Sequence, residues 1–296
     1  MPKVCIDVGH YGKYNRCPNN PNYYESEVMW KLHLLQKKYL EQLGIEVVTT
    51  RQDKNVDLEL TARGRMAKGC DLFISNHSNA VGGYMNENID SVDVYHLVND
   101  TTTKCDDVSS EFADMIAPEI ADIMGTKQGY RVLVKMAGGD RNNDGMINDN
   151  YYGVLHGSRS VGVAGVIIEH SFHTNSKTVA WLLNDNNLNM LAKVEAECIA
   201  TFLYNKESTV KEDKETTTKT LYRVQCGAFK IKTNAEKRLA EVKSKGFKDA
   251  FIRPKSADGY YRVQCGAFSV KANAQKRLKE VKSKGFKDAF VKEVTV

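Results

Sequence analysis

The 296-residue sequence predicts an α/β protein: a mostly parallel sheet flanked by helices, followed by a small α+β domain of βαββαβ, ferredoxin-like order. Three observations predict it. Short apolar runs alternate with helix-length stretches over the first two hundred residues, the pattern of strands joined by helices and covered on both faces. Residues 206–220, KESTVKEDKETTTKT, have the polar, charged composition of a linker. Beyond them the chain repeats: YRVQCGAF at 222–229 returns at 261–268, and KSKGFKDAF at 243–251 returns at 282–290, both at an offset of 39. Each repeat, 222–252 and 261–291, reads strand, helix, strand. A unit of that size does not bury a core alone, so the two are expected to share one four-stranded sheet with both helices on one face. The domains are therefore 1–205, a linker 206–220, and 221–296.

The elements follow in order. KVCIDV at 3–8 reads as a buried strand. Residues 26–43 read as a helix with Val28, Leu32, Leu35 and Tyr39 on one stripe, closed by Gly44 before the strand IEVVTT. DLFISN at 71–76 and VDVYHLV at 92–98 are further strands, 107–124 a helix, AGVIIE at 164–169 an apolar strand, and 186–204 a last amphipathic helix. No apolar run approaches the roughly 18 residues of a membrane span, so no membrane insertion is expected. The opening MPKVCIDVGH leaves no room for a signal peptide, and synthesis in the cytoplasm without one is expected. Seven cysteines, an odd number with no CxxC spacing, argue against a disulfide framework and a cysteine zinc site.

The net charge of +5 hides an asymmetry: residues 221–296 hold 19 Lys+Arg against 7 Asp+Glu, and the rest of the chain is net acidic. A basic tail of this kind seeks an anionic partner, whether nucleic acid, membrane or acidic cell wall.

Candidate chemistry gathers at strand ends. His10 ends the first strand, His77 follows DLFISN, Glu169 ends AGVIIE, and Glu25 opens the first long helix. In an open parallel sheet the ligand crevice lies outside the carboxyl ends of the strands, where three of these fall and Glu25 can reach. Two imidazoles and a carboxylate are a common catalytic zinc set that leaves one position for water, and a further carboxylate can serve as general base and proton donor. Spacing alone also admits ordinary surface or hydrogen-bonded histidines.

The run VCIDVGH, YESEV, TTR, LTAR, DLFISNHSNA and VIIEHSFHTN, in this order over residues 3–204, resembles the zinc-dependent N-acetylmuramoyl-L-alanine amidases. The resemblance implies Zn2+ on His10, Glu25 and His77, with Glu169 as the catalytic glutamate. Glu25 is preferred to Glu27 because Glu25, Val28 and Leu32 spell the family's E-x-x-V-x-x-x-L. Arg63, with Leu60 before it, fits the family's L-x-x-R arginine and is a candidate substrate contact. His170 and His173, flanking the catalytic candidate, are candidate substrate contacts or hydrogen-bond donors from behind it; solvent-facing positions fit them equally. The chain departs from the family at Ala67-Lys68, where Ala-Asn is usual, and at Ser171-Phe172, where Gly-Phe is common.

The basic domain resembles SPOR domains, which bind peptidoglycan, with VQCGAF in each half. Period two turns Val224 and Cys226 towards the helices and Arg223 and Gln225 onto the open face, repeated by Arg262 and Gln264; these four suit glycan hydroxyls and carboxylates. An RNA-binding sheet would stack bases on strand aromatics, which QCGAF with one terminal Phe does not supply, so no nucleic-acid partner is expected. The implied reaction is hydrolysis of the amide between N-acetylmuramic acid and L-alanine, in an endolysin or another cell-lysis enzyme that reaches the wall after release. A zinc peptidase cutting within the stem peptide and a non-catalytic wall binder are the alternatives. GGDRNNDGMIN at 138–148 offers Asp140, Asn142 and Asp144 in calcium-loop spacing, but Tyr151 stands where the bidentate carboxylate belongs, so a polar turn is the default reading.

Overall fold

The computed structural model describes residues 1–98, 104–141, 149–211, 220–248, 250–253, 255, 259–268 and 270–295. They form two compact units, Met1–Ile199 and Ala200–Val296.

The first unit runs β1 (Lys3–Val8), α1 (Glu25–Gln42), β2 (Glu46–Thr49), α2 (Leu60–Arg65), β3 (Leu72–Asn79), β4 (Val92–His96), α3 (Lys104–Met124), β5 (Tyr130–Leu133), α4 (Gly153–Ser160), β6 (Gly165–Phe172) and α5 (Ser176–Leu182), and leads into α6 (Asp185–Lys211). Its six-stranded sheet has the order β2-β1-β3-β6-β4-β5. β1, β2, β3 and β6 are mutually parallel, whereas β4 pairs antiparallel to β6 and carries β5 parallel to itself. The sheet is mostly parallel, as expected, with a reversed edge that the sequence did not announce.

Why these segments become strands is visible in their burial. Val4, Ile6, Leu72, Ile74, Val166 and Ile168 are closed to solvent on one face, and Cys5, Phe73 and Ile167 pack into a cluster on the other. Both faces are covered, so the strands read as continuous apolar runs rather than alternating ones. Each large side chain buried this way contributes about 1.5–3 kcal/mol. In α1 the buried face is Val28, Met29, Leu32, His33, Gln36 and Leu40. It is turned from the expected Leu35–Tyr39 stripe because His33 and Gln36 find partners inside: His33 Nδ1 lies 2.6 Å from the Trp30 carbonyl oxygen, and Gln36 bonds Glu195 and Asn76.

The second unit carries β7 (Thr220–Phe229), α7 (Lys232–Ser244), β8 (Phe251–Arg253), β9 (Tyr261–Phe268), α8 (Lys271–Ser283) and β10 (Phe290–Thr295). Its antiparallel sheet has the order β10-β7-β9-β8, so the two repeats interleave around β7 and β9. Val224, Cys226, Ala235, Val242 and Phe247 and their repeat equivalents Val263, Cys265, Ala274, Val281 and Phe286 make one core. Gly227 and Gly266 of the VQCGAF segments stand at φ 127° and 116°, and a Cβ on either would come within 2.8–2.9 Å of the ring of Phe229 or Phe268. The motif glycine is what lets that ring fold against the strand.

α6 continues to Lys211, so the start of the expected linker is helical; residues 212–219 lie outside the described residues, as do Asn142–Asn148 of the calcium-loop reading. None of the seven cysteines forms a disulfide. Among the described residues no helix is long and apolar enough to cross a membrane.

Candidate active site

β1, β3 and β6 end side by side, and their ends carry the chemistry. Past Val8 the chain reaches Gly9, where a Cβ would sit 2.5 Å from the His77 ring and 2.8 Å from the Asn76 carbonyl oxygen. Only glycine permits that approach, and Gly9 N donates to the same carbonyl at 2.8 Å. His10 then turns back at φ 56°, its ring centroid 5.1 Å from that of His77. Glu25 begins α1 almost fully buried. Its Oε1 is 2.8 Å from His77 Nδ1 and accepts from Ser78 N at 3.1 Å. Its Oε2 accepts from Asn15 Nδ2 at 2.7 Å and lies 3.5 Å from His10 Nε2.

One donor atom from each of His10, Glu25 and His77 falls within 4.8 Å of the others, the one such group of three among the described residues. Glu27 is turned away and pairs with Lys54 at 3.2 Å. Burial pushes the His10 imidazole down to about 4, the Glu25 charge opposing this. Glu25 is buried, yet hydrogen bonding and charge attraction from His77 hold its carboxyl down to about 2. His77 is also buried, and its contact with Glu25 raises it. A neutral imidazole and an ionised carboxylate are the forms in which these groups ligate a metal.

Glu169 stands opposite His77 in register on the neighbouring strand. Its Oε2 is buried and has no hydrogen-bond partner among the described residues. Burial pushes its carboxyl up to about 7, with His77 lowering it and Glu25 raising it. A buried carboxylate oxygen without a partner, on the strand position in register with His77, can take up a proton.

The remaining candidates take other places. Arg63 does not reach a substrate surface: it is buried and gives Asp7 a two-pronged pair, Nε to Oδ1 at 2.8 Å and Nη2 to Oδ2 at 2.6 Å, with Nη2 also donating to the Val8 carbonyl. The reason is local. Asp7 lies in the middle of an apolar sheet, fully buried, and needs a cation. His170 is closed to solvent as well, which rules out substrate contact. Its Nδ1 lies 2.9 Å from the His77 carbonyl oxygen, which can only accept, and its Nε2 lies 2.7 Å from Glu195 Oε1. Glu195 Oε2 accepts from Gln36 Nε2, and Gln36 Oε1 accepts from Asn76 Nδ2. This chain of polar groups braces the β3 end from behind. His173, also buried, has Nδ1 2.9 Å from the Ser78 carbonyl oxygen and stacks on Tyr23. In the second unit Arg223 and Arg262 are half-buried, whereas Gln225 and Gln264 are only 7% and 2% exposed and pair with each other in register.

Sequence reasoning missed Asn15, which touches both His10 and Glu25, and missed Glu195, Asp93 and Arg131. Asn15 at φ 52° sits in an irregular loop with no pattern to mark it. Glu195 had a signal: a carboxylate among Leu188, Leu191, Ala192 and Ile199 on the buried face of a helix.

A family model described as N-acetylmuramoyl-L-alanine amidase matches residues 4–201, and one described as SPOR domain matches residues 218–293. The N-acetylmuramoyl-L-alanine amidase CwlM of Bacillus licheniformis is 27% identical over 256 residues, 85% of either chain. The catalytic domain of CwlV, an N-acetylmuramoyl-L-alanine amidase from Bacillus (Paenibacillus) polymyxa var. colistinus, matches at a TM-score of 0.52 and 24% identity, over 69% of this chain and 98% of its own. An N-acetylmuramoyl-L-alanine amidase from Clostridium difficile 630 matches at 0.54 and 20% identity, over 73% of this chain and 98% of its own. At those identities the two structures show a shared fold.

Proposed function

We propose, from the premise that this chain belongs to the N-acetylmuramoyl-L-alanine amidase family, that its first unit hydrolyses the amide between N-acetylmuramic acid and L-alanine in peptidoglycan, with Zn2+ on His10, Glu25 and His77 and with Glu169 as the proton-transfer group. The observation that carries the reading is the convergence of the three donor atoms beside the partnerless Glu169 Oε2. The donor set fits zinc: two ring nitrogens and a carboxylate oxygen are among its usual three-ligand sets, and they leave a position open. When bound there, zinc polarises the scissile carbonyl and lowers the pKa of water.

The chain's own residues do the rest. Asn15 and Ser78 N hold the Glu25 oxygens. The His170–Glu195 pair fixes the backbone at His77. Glu169 takes a proton from the attacking water and returns one to the nitrogen of the leaving L-alanine, a role suited to a carboxyl that titrates near neutrality. The second unit matches the SPOR domain family, and its basic charge supports the binding of cell wall, which keeps the hydrolase near its substrate. A lytic, endolysin-like role after synthesis in the cytoplasm is part of the proposal; lysis of a host only when a membrane-permeabilising partner is co-expressed would support it.

The test is digestion of purified peptidoglycan with mass analysis of the products. Stem peptides with a free N-terminal L-alanine, no release after chelation and recovery with zinc are expected. Cleavage only within the stem peptide would replace the amidase reading by the peptidase one. Full activity of metal-free protein would remove zinc from it.

A further inference from the structure

Residues in register on neighbouring strands point to the same face of a sheet. His77 on β3 pairs with Glu169 on β6, Glu169 with Asp93 on β4, and Asp93 with Arg131 on β5. The four therefore form one row across the sheet, leading from the metal ligands to the edge. Arg131 lies two strand spacings beyond Glu169, about 9.5 Å. Its guanidinium leans back along the row: Nε and Nη2 donate to Asp93, at 2.8 and 2.5 Å. At this end of the row the protein has a cavity of about 530 Å³, lined in part by Asn79, Ser91, Gln128, Arg131 and Phe172. Two of its lining residues lie on strands of the candidate active site: Asn79 is two residues past His77, Phe172 is three past Glu169, and the two pair in register.

Two side chains of this wall keep hydrogen-bond donors for a ligand, Arg131 and Gln128. Arg131 is half exposed, and its Nη1 has no partner among the described residues. Gln128 spends its carbonyl oxygen on Asp90 N, which leaves its amide N–H groups. Asp93 is consumed by Arg131, Asn79 and Ser91. Asp90 accepts from the backbone N–H groups of Lys127 and Gln128. Two side chains that offer donors suit a group that accepts, and a guanidinium edge fits a carboxylate.

We propose that Arg131 and Gln128 form a subsite for a carboxylate on the stem-peptide residue that follows the L-alanine at the scissile amide. The inference rests on the amidase reading of the site. The reach agrees: an extended peptide advances about 3.3–3.6 Å per residue, so two residues cover about 7 Å of the row, and the arginine spans the remainder. The subsite sets substrate choice, since a carboxamide in the same place would bring two N–H donors against donors.

The test uses two synthetic N-acetylmuramoyl-L-alanyl peptides whose second residue carries either a free carboxylate or a carboxamide, cleaved by the zinc-loaded full chain. The two alanyl peptides they would release are titrated separately by calorimetry, which needs no turnover. The carboxylate form is expected to have a kcat/KM about 10- to 100-fold higher, mostly through KM, and to bind tighter as free peptide. Arg131→Lys should shrink that preference and Arg131→Gln abolish it. Because Arg131→Gln leaves Asp93 buried without its cation, Gln128→Ala serves as a variant that keeps the pair, and it should cut the preference several-fold. Equal kcat/KM and equal affinity for the two forms in the unaltered protein would overturn the subsite, as would a preference unchanged in both Arg131→Lys and Gln128→Ala. If neither substrate is cleaved but the acidic peptide still binds better and loses that preference in the variants, the subsite stands and the amidase reading falls.

Discussion

Arg63→Met distinguishes an arginine that holds the sheet from one that holds the substrate. The side chain is 3% exposed and its partner Asp7 fully buried. Asp7 accepts four further or shared hydrogen bonds, two from Arg63, one from Thr50 Oγ1 and one from Ser75 Oγ, the last two at 2.6 Å. Removing the cation strands a buried carboxylate, which costs about 3–5 kcal/mol. For a unit of this size each kcal/mol lowers the melting temperature by about 2–4 °C, so the fall should be roughly 6–20 °C. Asp7→Asn should cost a similar amount by stranding the arginine, and the double variant should cost less than the sum of the two. There is also a pH signature. Asp7 is desolvated, but Arg63 and the hydrogen bonds hold its carboxyl below the usual value. A carboxyl lowered on folding contributes stability above its unfolded value, about 3.9, and loses it as pH falls through the folded value. The stability gap between the unaltered protein and Asp7→Asn should therefore close as pH drops below about 4. Calorimetric melting across pH, with kcat/KM beside it, is the assay. If Arg63→Met melts within about 2 °C of the unaltered protein while kcat/KM falls tenfold or more, the arginine acts on substrate and the structural account is wrong.

Glu169→Gln should retain bound zinc, measured by metal analysis, and lose about 10²- to 10⁴-fold in rate; loss of the metal instead would make Glu169 a ligand. His33, buried at 1% exposure and pushed down to about 4, is neutral in the fold while the unfolded chain protonates near 6.5. Stability present above 6.5 is lost as pH falls towards 4, by about 3 kcal/mol, and His33→Gln should remove that acid-side loss in denaturant titrations; an unchanged pH profile refutes it. Gly157→Ala adds a Cβ 2.3 Å from the Thr61 carbonyl oxygen where α4 crosses α2, so it should destabilise by about 1–3 kcal/mol although alanine is the better helix former by about 1. In the second unit Arg223→Ala/Arg262→Ala should weaken sedimentation with purified walls at high salt as well as low, whereas Gln225→Ala/Gln264→Ala should lower melting temperature first; wall binding untouched by the arginine pair would reduce the unit to a nonspecific cationic tether.

What could be read from the sequence and what could not follow one physical line. The convergence of His10, Glu25 and His77, with Glu169 in register beside them, was legible because each sits at or near the end of an element and the strand ends of a parallel sheet converge. The 39-residue repeat made the second sheet legible, since two closely similar half-units have few ways to share a core. Arg63 was a candidate substrate contact because it fits the family's L-x-x-R, a pattern that does not say which group the arginine meets; here it is buried against Asp7. The hint was Asp7, a carboxylate inside the apolar run KVCIDV that has to be paired. Gln225 and Gln264 obey the two-residue period, yet the period says only which way a side chain points and not how much of it stays exposed. Arg131 was illegible for a stronger reason. Its meaning lies in the row His77–Glu169–Asp93–Arg131, made by four strands that are 77, 169, 93 and 131 residues along the chain and include an antiparallel reversal. No local spacing encodes that adjacency; only pairing across the sheet does. Groups that bind a metal through neighbouring element ends leave a motif, whereas groups that measure out an extended substrate are distributed along the sheet and leave none. The specificity of this site should accordingly depend on β4, β5 and the loops that join them more than on the ends that carry His10, Glu25 and His77.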